Sequence, residues 1–108
     1  MNRAFARQYE DPRWQYRSKA LIQKRRSCEW CNRADRLSVH HGFYEPGVKI
    51  WEYPDDVLWV LCKNCHATMD EFRRTVQRLV GRVRPQDAPA VIKFLQGVTT
   101  RRRSSGGG

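Results

Sequence analysis

Two C-x-x-C pairs, Cys28-Glu29-Trp30-Cys31 and Cys62-Lys63-Asn64-Cys65, constrain this chain more than any other feature. They contain all four of its cysteines, and all three histidines lie between them or directly after them, at His40, His41 and His66. Two such pairs separated by about thirty residues are the ligand set of one tetrahedral zinc. Four thiolates close the coordination sphere, so an ion held there ties the fold together and leaves no position for a reactant. A chain of 108 residues has little apolar volume for a core, and metal binding adds directly to its folding free energy. Cys62 to His66 also fits the C-x-x-C-H haem-attachment pattern. That use requires export and leaves Cys28 and Cys31 without a task. The histidines need a separate explanation.

Charge is unevenly placed along the chain. Residues 1–27 carry eight Lys/Arg against two acids, residues 28–66 four against six, and residues 67–108 nine against three, for a net charge of +10. Basic arms therefore flank a slightly acidic centre rich in metal-binding side chains. Such arms suit a polyanion through phosphate neutralisation and counterion release. No apolar run approaches the roughly 18–20 residues of a membrane span. Met1-Asn2-Arg3-Ala4-Phe5 is basic without an apolar stretch behind it, which predicts no signal peptide and a reducing cytoplasm.

Residues 1–11 read as a loosely ordered basic arm. Asp11-Pro12 is a helix start, a capping carboxylate followed by proline in the first turn. It predicts a helix from Pro12 to about Lys24, with Trp14 and Leu21 inward and Arg13, Arg17, Lys19, Lys24 and Arg25 outward as candidate phosphate contacts. Leu37-Ser38-Val39-His40-His41 alternates as a strand, which sends the two histidines to opposite faces. Tyr44-Glu45-Pro46-Gly47 is a turn, Ile50 to Tyr53 a short extended piece, and Val57 to Leu61 a buried strand. A helix from about Cys65 to Val80 has Met69, Phe72, Val76, Leu79 and Val80 at core-facing spacing, with Arg73 and Arg74 as further candidate nucleic-acid contacts. Gly81 ends it, Asp87 caps a last helix over about Ala88 to Gln96, and Gly97 closes that one. Residues 12–80 thus read as the central domain, 81–97 as a helical extension and 98–108 as a disordered basic and glycine-rich tail.

The histidines meet where a strand crosses the start of a helix. His40 or His41 then comes within reach of His66, and Asp70 lies one helical turn beyond, a candidate further ligand. A site with two or three protein ligands and open positions suits a divalent cation that keeps several waters. A neutral histidine beside it can serve as a general base near neutral pH.

In this order of residues the chain resembles the HNH endonuclease family in its four-cysteine zinc form. The resemblance spans roughly residues 12–72, through Leu37-Ser38-Val39-His40-His41 and Leu61-Cys62-Lys63-Asn64-Cys65-His66. It implies a small α+β, zinc-stabilised fold with a ββα-metal (His-Me finger) core and flanking N-terminal and C-terminal helices. It further implies that His40 and His66 bind a catalytic ion, Mg²⁺ or Mn²⁺ with Ni²⁺ and Zn²⁺ as alternatives, and that His41 is the general base. The activity implied is hydrolysis of phosphodiester bonds, in DNA rather than RNA, to a 5′-phosphate and a 3′-hydroxyl. Val57 stands where the family's middle asparagine would orient the base, and the adjacent Asp56 is the candidate for that task. The alternative on the same fold is a zinc-stabilised nucleic-acid-binding module or a subunit of a larger nucleoprotein, in a phage or mobile-element complex for example.

Overall fold

Residues 3–100 are described by a computed structural model, a small α+β protein with a two-stranded antiparallel sheet and four α-helices. The chain forms two compact units, Met1–Phe72 and Arg73–Gly108.

The first unit begins with helix α1 (Arg3–Arg7) and a 3₁₀ turn over Gln8–Glu10, where a loose arm was expected. The signal missed there is aromatic: Phe5 and Tyr9 pack against the core, and their rings meet edge to face 6.1 Å apart. Helix α2 (Pro12–Arg25) starts as its sequence predicts. The Asp11 carboxylate accepts from the Arg13 amide at 2.8 Å, satisfying a donor that the first turn cannot. Trp14 and Leu21, seven residues apart and so on one helical face, are buried against the sheet.

Strands β1 (Leu37–His41) and β2 (Leu58–Cys62) pair with His40 opposite Trp59 and His41 opposite Leu58. This register decides which side chains meet, because alternate residues leave opposite faces. Leu58, Val60 and Val39 join Trp14, Leu21, Ile50 and Tyr53 in the main core. Leu61 and Cys62 join Cys28 in a smaller cluster that Trp59 and Met69 flank. Each fully buried aliphatic side chain in these clusters contributes about 1.5–3 kcal/mol.

The connection between the strands is irregular. Val48 donates to the Glu45 carbonyl at 3.2 Å, and Gly47 has φ of +82°, the positive value a type II turn requires at its third residue. Ile50 to Tyr53, expected to be extended, forms turns that still bury Ile50 and Tyr53. A 3₁₀ turn over Asp55–Val57 then leads into β2.

Helix α3 (Lys63–Val80) follows β2 with no intervening loop, two residues earlier than its spacing predicts. Its apolar stripe is not core along its length: Met69 packs on the smaller cluster, while Phe72, Leu79 and Val80 are exposed. In the second unit, a 3₁₀ turn over Pro85–Asp87 precedes helix α4 (Ala88–Thr99), and no described residue of that unit is buried. Asp87 does not cap α4 with its side chain. It has helical dihedrals itself, and its carboxylate turns back to Arg84 at 2.9 Å. Gly97 lies within α4, so the last helix includes Val98 and Thr99; the rest of the expected tail, residues 101–108, lies outside the described residues. Among the described residues no helix is long and apolar enough to cross a membrane.

Candidate metal centres

The four cysteine sulfurs converge, with all ligand atoms within 4.8 Å of one another and none in a disulfide. Two tight turns deliver them, one ahead of β1 and one at the junction of β2 and α3. Cys28 accepts from the amides of Trp30 and Cys31 at 3.4 and 3.5 Å, and Cys62 from the Cys65 amide at 3.5 Å. Donors aimed at sulfur stabilise a thiolate, the form in which cysteine binds metal. Burial pushes the Cys28 thiol up, but the amides of Cys31, Cys62 and Trp30 together outweigh it and bring the thiol down to about 6. The Cys62 thiol is lowered chiefly by the Cys65 amide. Cys65 is pushed up to about 12, by desolvation first and then by the neighbouring sulfurs, so without an ion the cluster does not ionise fully. A cation is the partner that resolves this repulsion. Zinc–sulfur bonds of ~2.3 Å in a tetrahedron place sulfurs about 3.8 Å apart. Cys31 and Cys62 sulfurs are 3.7 Å apart, so the donor set fits a structural zinc.

The cluster is anchored by Glu29, inside the first knuckle. Its amide donates to the Val60 carbonyl at 2.8 Å, and its carboxylate accepts from the Val60 amide at 2.7 Å and from Arg25 at 3.0 Å. Thus α2, the knuckle and β2 are joined at one residue.

His40, His66 and Asp70 form the second group, again with ligand atoms within 4.8 Å of one another. His66 and Asp70, four residues apart, share one face of α3, and β1 brings His40 to that face. His40 Nδ1 lies 3.6 Å from one Asp70 carboxylate oxygen and His66 Nε2 lies 3.9 Å from the other. The Ser38 hydroxyl meets His66 Nδ1 at 2.8 Å, which leaves Nε2 directed toward Asp70. Ser38 is two residues before His40 and so shares its face of the strand, a contact that strand alternation places but that no motif marks. Three donors with these separations can hold a divalent ion, and the open cleft of about 470 Å³ lined by His66 and Asp70 leaves room for further ligands.

His41 points the other way. It is 1% exposed, stacked on Tyr44 with ring centres 5.0 Å apart, and enclosed by Trp14 at 4.8 Å and Tyr53 at 5.4 Å. Its Nε2 meets the Ile50 carbonyl at 2.9 Å. A carbonyl only accepts, so Nε2 carries the proton and a neutral ring holds its lone pair on Nδ1. Ile50 is itself fixed, since its amide donates to the Gln8 side chain at 2.8 Å. A main-chain oxygen therefore holds Nε2 of the ring; Asp56 is exposed in the Asp55–Val57 turn, and Val57 is a half-buried neighbour of the core. Main-chain acceptors have no residue signature, and Gln8 lies in the segment expected to be loose.

The arginines of α2 have internal duties. Arg13 pairs with Asp11 at 2.9 Å and lies over the Trp51 ring at 4.0 Å. Arg17 donates to the Trp51 carbonyl and to Asp55, both at 2.6 Å. Arg25 donates to Glu29 and to the carbonyls of Leu58 and Asp55. Planar, multidentate guanidinium groups thereby tie the irregular loop to the helix. Lys19 and Lys24 remain exposed on α2, and Arg73 and Arg74 belong to the second unit.

Comparison with protein-family models, with curated proteins and with solved structures found no match to this chain.

Proposed function

We propose that this protein is a metal-dependent endonuclease of the HNH type, with a ββα-metal core, acting on DNA. The observation that carries the reading is the convergence of His40, His66 and Asp70, the last two lining an open cleft, beside a cysteine cluster that needs no open position. In this reading His40 and His66, with Asp70, hold a divalent ion such as Mg²⁺ or Mn²⁺. Such an ion would supply Lewis-acid polarisation of the phosphate and offset the charge that builds on it. Ser38 holds the His66 ring in position through Nδ1, and the Ile50 carbonyl holds His41 in the tautomer that can take a proton at Nδ1. Water attacks phosphorus as its proton passes to His41, the bond from phosphorus to the 3′ oxygen breaks, and that oxygen gains a proton. The products are a 5′-phosphate and a 3′-hydroxyl. His41 lies on the face of β1 opposite His40, so this step requires its ring to leave Tyr44, Trp14 and Tyr53 and turn toward the cleft.

A second reading is favoured by the burial of His41: a nucleic-acid-binding module on the same zinc-tied scaffold, without catalysis, serving as a nucleoprotein subunit. One experiment separates the two. Supercoiled plasmid incubated with the protein and Mg²⁺ or Mn²⁺ is expected to relax, and His66→Ala to slow relaxation at least about a hundredfold, in line with the loss of a metal-activated step. Retention of plasmid with no relaxation under any divalent ion would leave the binding module as the function.

A further inference from the structure

The cleft beside His66 has a cationic side that the reading above does not use. Arg36 and Lys63 line it together with Ser38, His66 and Asp70, in an open volume of about 470 Å³ that lies within the usual range for ligand sites, roughly 300–1,000 Å³. A smaller recess next to Cys62 shares the same two cations and adds Arg33 and Asn64. The two depressions therefore share Arg36 and Lys63 in their walls, one beside Cys62 and the other beside His66.

These two cations differ from the arginines of α2. Arg13, Arg17 and Arg25 commit their donors to carboxylates, carbonyls or an aromatic face, and Arg33 pairs with Asp35 at 3.0 Å. Among the described residues, Arg36 and Lys63 form no salt bridge or side-chain hydrogen bond. The backbone does not account for Arg36 either. Its φ is +55°, a left-handed conformation that favours glycine or asparagine and costs a residue with a β-carbon about 1–2 kcal/mol. The turn into β1 would be better made without an arginine. Two unpaired cations and one carboxylate, Asp70, line the cleft, so its lining favours an anion even before any ion is added.

We propose that Arg36 and Lys63 bind nucleic-acid phosphates flanking the reacting one, making the cleft a phosphate track from the zinc knuckle to His66 and Asp70. The placement of the reacting phosphate rests on the endonuclease reading; the binding of the flanking phosphates does not.

The test is binding of a duplex DNA oligonucleotide by fluorescence anisotropy over a salt series, without added divalent ion, using zinc-loaded protein. Each phosphate contact contributes about 0.9 to the slope of log affinity against log salt. The doubly substituted Arg36→Gln, Lys63→Gln protein is expected to lower that slope by about 1.8, the two contributions of 0.9 together, while keeping its zinc. Should it lose its zinc, the single variants carry the test, each lowering the slope by about 0.9, with Arg36→Lys restoring it. An unchanged slope in zinc-retaining variants overturns the proposal and leaves the endonuclease reading in place if the wild type nicks plasmid. A reduced slope in a protein that never nicks keeps the track and removes the nuclease. Wild-type protein that holds no DNA at low salt removes both.

Discussion

The two ligand clusters of this protein lie on one small scaffold yet have opposite designs. The cysteine cluster uses four sulfurs, drawn from two knuckles, with amides aimed at the sulfurs and Glu29 bolting the first knuckle to β2. The histidine cluster offers three donors from one strand and one helix face, and it borders an open cleft. Both are set by the same junction, since β2 ends at Cys62 and α3 starts at Lys63. Whatever fixes the cysteines therefore also fixes where His66 stands relative to His40. The cysteine set is closed once an ion is bound, whereas the histidine set leaves room beside His66 and Asp70 for further ligands.

Variants that touch only one cluster can break this comparison. The largest effect is expected from Cys28→Ser, which should release about one zinc per chain and abolish cooperative unfolding of the first unit, because a small domain depends on its metal. Calorimetry with metal analysis checks this; unchanged zinc and melting would remove the structural site. Glu29→Ala should cost about 1–3 kcal/mol in denaturant unfolding, since it leaves the Val60 amide and the Arg25 guanidinium without their shared acceptor. It should also loosen zinc retention against a chelator. Ser38→Ala should leave zinc and stability alone while weakening divalent-ion binding or nicking by about tenfold, the usual loss when a group orienting a metal-bound histidine is removed.

The smallest effect lies away from both clusters. The Asp11 carboxyl is lowered from 3.8 to about 2 by the Arg13 side chain and then by the Arg13 amide. Its folded value lies below its unfolded one, so its contribution is present above pH ~4 and is lost as pH falls toward ~2. Asp11→Asn should therefore differ from wild type in thermal stability at neutral pH, and the ionisation-dependent part of that difference should fade as pH drops through about 2. A pH-independent difference would show that ionisation of the cap does not matter.

The parts legible in the sequence were those that rest on local chemistry. Asp11-Pro12 gave the start of α2, the period of two in residues 37–41 gave β1 and its two histidine faces, and the cysteine spacings gave the knuckles. Asp70 came into range of His66 and His40 because helical spacing and strand crossing are geometric rules. What stayed hidden depends on distant partners. Phe5 and Tyr9 are held in part by Tyr44, which meets them from 35 or more residues away; the two tyrosine hydroxyls are 2.7 Å apart. The stripe of α3 has the spacing of a core helix, yet Phe72 and Leu79 find no described surface that buries them. The acceptor for His41 is a peptide carbonyl, which any residue at position 50 would supply.

Under the proposed function the two clusters hold two ions with separate tasks. The most direct measurement is an Mn²⁺ titration of zinc-loaded protein followed by electron paramagnetic resonance, with zinc content read in parallel. One Mn²⁺ is expected to bind per chain with zinc undisturbed, and that Mn²⁺ alone is expected to be lost in His66→Ala. Equal Mn²⁺ binding by wild type and His66→Ala, or Mn²⁺ bound only as zinc leaves, would contradict this reading.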